Sequence, residues 1–204
     1  MNNLSLTDLL AEISQCQHCA SKLPHTPRPV VRVAKTASIL VIGQAPGSRV
    51  HASGTPWDDP SGERLRDWMG VDSETFYDTS RIAIMPMGFC YPGKGKSGDL
   101  PPRPECAPLW HERLLQSLPG IQLTLLIGSY AQNYYLDKTH STLTARVAAW
   151  QDYMPNYLPL VHPSPRNTHW LQKNPWFQAE LIPALRDIIK NLYKSIGWYY
   201  SLVK

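Results

Sequence analysis

Ser38-Ile39-Leu40-Val41-Ile42-Gly43 runs without a break into Gln44-Ala45-Pro46-Gly47. Four consecutive apolar residues leave no polar face, so the run reads as a strand covered on both sides. Glycine and proline then end it, because they punctuate regular structure. Three runs of the same kind follow, Ile82 to Met87, Leu123 to Gly128 and Leu158 to Val161, each bounded by glycine or proline. Helical patterns lie between them, over Glu63 to Met69, Cys106 to Leu118 and Ala131 to Leu136. Doubly covered strands alternating with helices predict an α/β three-layer sandwich, a central four-stranded parallel sheet flanked by helices. Sheets of this type bind ligands outside the carboxyl ends of their strands. That rule selects four loops: Gly43 to Gly47, Gly88 to Pro104, Gly128-Ser129-Tyr130, and His162-Pro163-Ser164-Pro165-Arg166-Asn167.

Outward from this frame, residues 5–15 carry apolar side chains at Leu6, Leu9, Leu10 and Ile13, a helical stripe with Ser5 as its N-cap. Pro24 to Lys35 reads as an extended connection, and Trp176 to Tyr193 as a closing amphipathic helix. With 204 residues and 43% hydrophobic content, residues 1–204 are expected to form one domain. No apolar run approaches the roughly 20 residues needed to cross a bilayer, which excludes a membrane-spanning helix. Met1-Asn2-Asn3-Leu4-Ser5 lacks the basic and apolar regions of a secretory signal, so a cytoplasmic location is expected. A net charge of +4 permits a nucleic-acid partner without requiring one, and seven Trp and ten Tyr suit loops that grip flat ligands.

The four cysteines, Cys16, Cys19, Cys90 and Cys106, form a C-x2-C pair, a gap of 70 residues and a C-x15-C pair. In a reducing compartment this spacing points to a metal centre rather than a disulfide. Four thiolates suit zinc or a [4Fe-4S] cluster. One tight pair with two scattered ligands leans toward the cluster, and buried free cysteines are the remaining reading.

Gly43-Gln44-Ala45-Pro46-Gly47 and His162-Pro163-Ser164-Pro165 together resemble the uracil-DNA glycosylase superfamily, which pairs a GQDPY, GEAPG or GINPG loop after the first strand with an HPS loop after the last. With Gly54-Thr55-Pro56-Trp57, then Ser61-Gly62, the chain looks most like the family 4 enzymes, and Ile127-Gly128-Ser129-Tyr130-Ala131 resembles their third-strand loop. The resemblance implies a [4Fe-4S] cluster on Cys16, Cys19, Cys90 and Cys106, DNA containing a damaged base as partner, and a monomer acting on it. It also implies a glycosylase that swings a deaminated base, uracil foremost, out of the duplex and hydrolyses its N-glycosidic bond in base excision repair.

Each residue has a physical reason. Trp57 matches the family's aromatic position and would stack on the base, worth about 1–3 kcal/mol. His162 would donate to the oxygen of the departing base, a role whose removal slows such reactions about 100- to 1000-fold. Gly43 and Gly47 bracket Ala45 and Pro46, so that backbone amides approach the ligand. Lys94 and Lys96 lie in a basic loop suited to a phosphate backbone, Arg166 is expected as a wedge or phosphate contact, and Asn167 follows it. Ser164 is expected near a phosphate, and Ser61 as the cap of a helix starting near Gly62.

Two departures qualify the resemblance. Gln44 and Ala45 replace the family's motif carboxylates, leaving Gln44 at most to orient water; Asp58 and Asp59, next to Trp57, could supply a carboxylate but read first as a solvated acidic pair. Met85 stands where family 4 relatives place a base-reading asparagine, and a thioether cannot replace that amide. Hypoxanthine or xanthine therefore stay open as substrates. So do a non-catalytic DNA or lesion binder of the same fold and a redox sensor working through the cluster.

Overall fold

The structure, a computed structural model, describes residues 5–195 and Gly197. Helix α1 (Leu6–Ser14) has the expected cap, the Ser5 side chain accepting from the Asp8 amide. Strand β1 (Ile39–Ile42) leads through α2 (Ser48–Ser53), α3 (Pro60–Met69) and α4 (Ser73–Tyr77) to β2 (Ile82–Ile84). A small hairpin comes next, β3 (Lys94–Gly95) with β4 (Gly98–Asp99), and then α5 (Cys106–Gln116), β5 (Leu123–Ile127), α6 (Ser129–Tyr135) and α7 (Leu143–Ala148). Strand β6 (Tyr157–Leu160), α8 (Thr168–Lys173) and α9 (Ile182–Ser195) complete the order.

The large sheet runs β2-β1-β5-β6 and is parallel throughout, with Ile39 beside Ile82 and Leu123, and Leu125 beside Leu158. Alternate residues of each strand feed two separate cores, as the period of two requires. Ile39, Val41, Ile82, Ile84, Leu125 and Leu160 face α3, α4 and α9. Leu40, Ile42, Ala83, Met85 and Leu126 face α1, α5 and α6. The three-layer α/β sandwich with four parallel strands is thus the observed architecture.

The N-terminus of helix α3 stands at the carboxyl edge of the sheet, where ligands of such folds bind. The helix is pinned to the C-terminal segment by Trp68 meeting Phe177 edge-on, ring centroids 4.9 Å apart, a contact worth about 0.5–1.5 kcal/mol beyond burial. It starts at Pro60, earlier than the apolar pattern suggests, and its cap is Asp59 rather than Ser61. The Asp59 carboxylate accepts from the Gly62 amide at 2.8 Å, and proline suits the first helical position, where its missing N–H is not needed. The C-terminal helix also differs in detail. Phe177–Leu181 is a π-helical turn, whose extra residue keeps Phe177, Leu181, Ile182 and Leu185 all on the core side.

Candidate active site and cysteine cluster

The chain leaves β1 for β2 on one side of the sheet and returns on the other through β5, so the crevice at their carboxyl ends is a topological switch point. Gly43, Gln44, Ala45, Pro46 and Gly47 line a cavity of about 440 Å³ there, together with Trp57, Asp59 and His162. Trp57 is held in an unusual way. Its backbone is left-handed, with φ of 58°, a conformation that costs a bulky residue of order 1–3 kcal/mol. Two glycines make room for it: a methyl on Gly43 would lie 2.7 Å from Trp57 Cζ2, and one on Gly62 would lie 1.8 Å from the Trp57 carbonyl oxygen. The indole therefore rests directly on the loop after β1, its centroid 5.6 Å from the His162 ring.

His162 follows β6, and its ring is oriented by its own loop. The Ser164 amide donates to His162 Nδ1 at 3.2 Å, so the ring proton of the neutral imidazole is on Nε2. Burial holds its pKa below the usual histidine value, opposed by the negative charge of Asp59. The loop is tied on both sides, with Asn167 Nδ2 donating to the His162 carbonyl at 2.8 Å and Arg64 to the Ser164 carbonyl at 3.3 Å. The result is a neutral N–H donor fixed before any ligand arrives.

A wider groove of about 1220 Å³ adjoins the cavity and is lined by Gln44 to Gly47, Asp59, Ser61, Lys94, Asp99, His162, Ser164, Arg166 and Asn167. Most of the residues singled out in the sequence thus share one continuous depression. For four of them the structure shows a placement or contact that the sequence does not reveal. Met85 is fully buried in the core beneath the sheet, and the side chains of Ile84 and Pro86 face the cavity instead, because successive residues of an extended segment point to opposite sides. Arg166 is exposed and lines the groove, and its guanidinium donates to the Ser97 carbonyl at 2.6 Å, so strapping the β3–β4 hairpin across it. Asn167 spends its amide on the His162 loop. Lys96 is exposed at the hairpin turn and is not among the groove-lining residues.

Asp59 has a larger place in the site than a solvated turn residue would. Asp58 is exposed, whereas Asp59 is partly buried and lines both the cavity and the groove. The signal for it in the sequence is the order Asp-Pro-Ser-Gly-Glu, an N-cap followed by proline at the first helical position, which fixes a carboxylate at a helix start.

All four cysteines are free thiols and line one cavity of about 400 Å³ with Phe89, Trp110 and Arg103. N–H groups point at three of the sulfurs: Phe89 donates to Cys106 Sγ at 3.3 Å, the Arg28 amide to Cys90, and the Arg103 side chain to Cys19. Burial pushes the Cys90 thiol up to about 11 and that of Cys106 to about 12, and it also raises Cys19. A cation is what brings such thiols to the thiolate form at neutral pH, and sulfurs that accept N–H bonds are prepared for that charge. The donor set fits a thiolate-ligated centre. Among the described residues no three His, Cys, Asp or Glu side chains converge on the position of a single metal ion.

A solution NMR structure of a candidate uracil DNA glycosylase from Methanosarcina acetivorans is similar at 15% identity and a TM-score of 0.42, over 78% of this chain and 94% of that one. A likeness that loose adds no weight. The family model described as the uracil DNA glycosylase superfamily matches residues 31–186, which hold the loop after β1, Trp57, Asp59, His162 and two of the four cysteines. The chain belongs to the uracil DNA glycosylase superfamily.

Proposed function

We propose that this protein is a monofunctional DNA glycosylase that hydrolyses the N-glycosidic bond of a deaminated base swung out of DNA, with uracil the first candidate. The observation that carries the reading is His162: a neutral imidazole, its Nε2–H free to donate because Nδ1 is occupied by the Ser164 amide, beside an aromatic plate and a glycine-bounded loop.

The chemistry divides between base and sugar. The bond between C1′ and the base nitrogen breaks with its electron pair leaving on the base, and His162 Nε2–H stabilises the oxygen on which that charge collects. Trp57 holds the flipped base by its face. Water adds to the oxocarbenium-like C1′ and gives up a proton to the Asp59 carboxylate, which also offsets the positive charge at the sugar. The leaving base takes up a proton, so that free base and an abasic sugar result. Asp59 weakens the case for a lesion binder without chemistry, since that case rested on Met85 and on the missing carboxylates at Gln44 and Ala45.

Cys16, Cys19, Cys90 and Cys106 would hold a [4Fe-4S] cluster of the family 4 kind. All four cysteines line one cavity, and zinc, whose four sulfurs would each lie about 2.3 Å from one ion, is the alternative occupant. When bound, the cluster would fix the segment after β2 and the start of α5, and with them the hairpin beside the groove. Lys94 and Ser164, which line that groove, would contact the phosphate backbone.

The test uses oligonucleotides carrying uracil, hypoxanthine or xanthine, single-stranded and opposite each base, with abasic sites revealed by alkaline cleavage. Strand breaks are expected at one lesion, reduced about 100- to 1000-fold in His162→Ala and retained in His169→Ala. Intact DNA at every lesion, with DNA binding preserved, would replace this reading with the non-catalytic binder.

A further inference from the structure

We propose that Gln44 is the specificity-determining residue of the site, its side-chain amide reading the adjacent C=O and N–H of a lactam base. The proposal rests on the glycosylase reading for the reaction, but the recognition it describes stands apart from turnover.

The wall of the cavity is poor in groups able to read a base. Val30, Val50, Pro56 and Ile84 offer apolar side chains. Pro86, at the position facing the cavity after β2, has no N–H, and its carbonyl is taken by Nε2 of the buried His111 at 3.1 Å. Two carbonyls of the loop after β1 are also engaged, that of Gly43 accepting from Met87 and that of Gln44 from Gly88, which leaves its backbone N–H groups as donors only. Of the side chains, His162 is a single donor, and Asp59 already serves the Gly62 amide. Gln44 is the one side-chain amide among the described residues lining this cavity, and it also lines the groove.

Its amide is nearly unspent and points one way. Nε2 donates to the Leu100 carbonyl at a long 3.5 Å, and Oε1 has no hydrogen-bond partner among the described residues. A carbonyl can only accept, so turning the amide over would set Oε1 against the Leu100 oxygen. Held this way, the group presents a donor from Nε2 next to an acceptor on Oε1. The complement is a base edge with a carbonyl beside a ring N–H, the edge of uracil, hypoxanthine and xanthine. Cytosine and adenine present an amino group beside an unprotonated ring nitrogen, which places donor against donor and acceptor against acceptor. Thymine and guanine share the lactam edge, so the amide separates deaminated bases from their amino parents and leaves the rest to the shape of the cavity.

The experiment compares wild type with the near-isosteric Gln44→Leu, both first shown to melt alike, by excision kinetics on the lesion panel and by equilibrium binding to oligonucleotides bearing the lesion, its amino parent or a stable abasic analogue. The expected result is a drop of about 10- to 100-fold in kcat/KM on the preferred lesion. Preference for the lesion over the amino parent should vanish, and affinity for abasic DNA should stay within about twofold because no base is there to read. A Gln44→Leu protein that keeps its lesion preference, or that loses lesion and abasic binding together, overturns the proposal. If the wild type cleaves nothing yet prefers lesion DNA in binding, and Gln44→Leu erases that preference, base reading by Gln44 stands while the catalytic reading falls. A wild type with no lesion preference in either assay overturns both.

Discussion

Gly62→Ala places its added methyl 1.8 Å from the Trp57 carbonyl oxygen and 2.7 Å from the carbonyl carbon. Both are backbone atoms of a residue already in the left-handed region, so no side-chain rotation relieves the overlap. Moving Trp57 toward the loop after β1 is blocked as well, because the indole rests against Gly43. The start of α3 must therefore shift away, which stretches the 2.8 Å bond from the Gly62 amide to Asp59. Overpacking of this kind costs about 1–3 kcal/mol, and losing the cap adds about 1 kcal/mol, for a total of about 2–4 kcal/mol. For a chain of this size that lowers Tm by about 5–15 °C. Thermal unfolding followed by circular dichroism reads the stability, and excision of the preferred lesion reads the plate and the carboxylate together; both should fall. Ser61→Ala is the control, since the Ser61 hydroxyl makes no hydrogen bond among the described residues, and it should shift Tm by no more than about 2 °C. A Gly62→Ala protein melting within about 2 °C of wild type, with activity intact, would refute the claim that Trp57 is clamped between the two glycines.

The same geometry makes further outcomes testable. His111 is buried with Nε2 donating to the Pro86 carbonyl and Nδ1 accepting from the Tyr135 hydroxyl, and burial holds its pKa down at about 4. The unfolded chain therefore binds a proton between about pH 6.5 and about 4 that the native one refuses, so stability present at pH 7 is lost on acidification across that window, by about 3 kcal/mol. Urea unfolding at the two ends of the window should show the loss, and His111→Gln should flatten it. His162 is also held below the usual value, so excision should stay level through neutral pH and decline only below about pH 6.5; a decline beginning above that range would contradict a neutral donor. Arg166→Ala releases the strap to Ser97, and hydrogen exchange over residues 94–99 should quicken with little change in global stability; unchanged protection would show that the hairpin holds itself. Protein purified without oxygen should carry about four iron and four acid-labile sulfide per chain, both lost in Cys90→Ser, whereas one zinc and no sulfide would discard the cluster.

The sheet and the loops at its carboxyl edge were legible because their signals are local. Four predominantly apolar runs bounded by glycine or proline leave little choice of strand, and the motif loops sit where those strands stop. What escaped was decided by contacts between distant parts of the chain. Whether Met85 or Pro86 meets the cavity depends on a one-residue register that an apolar run with both faces buried does not reveal. Arg166 reads as a free cation until the hairpin brings Ser97, 69 positions earlier, beneath its guanidinium. The left-handed backbone of Trp57 is not signalled by its residue type; it sits between the capped start of α3 a few residues on and Gly43 across the loop. Asp59 falls between these cases: its role as a helix cap is written in Asp-Pro-Ser-Gly, while its approach to His162 belongs to the packing of α3 against the sheet.

If His162 and its surroundings break an N-glycosidic bond, the free base must appear in solution, and its release is the most direct test. Wild-type protein incubated with the lesion-bearing oligonucleotides, followed by mass spectrometry of the small-molecule fraction, should yield one deaminated base in amounts equal to the abasic sites formed, and His162→Ala should yield almost none. Lesion DNA recovered whole from a folded, DNA-binding protein, with no base released, would contradict a catalytic role for His162.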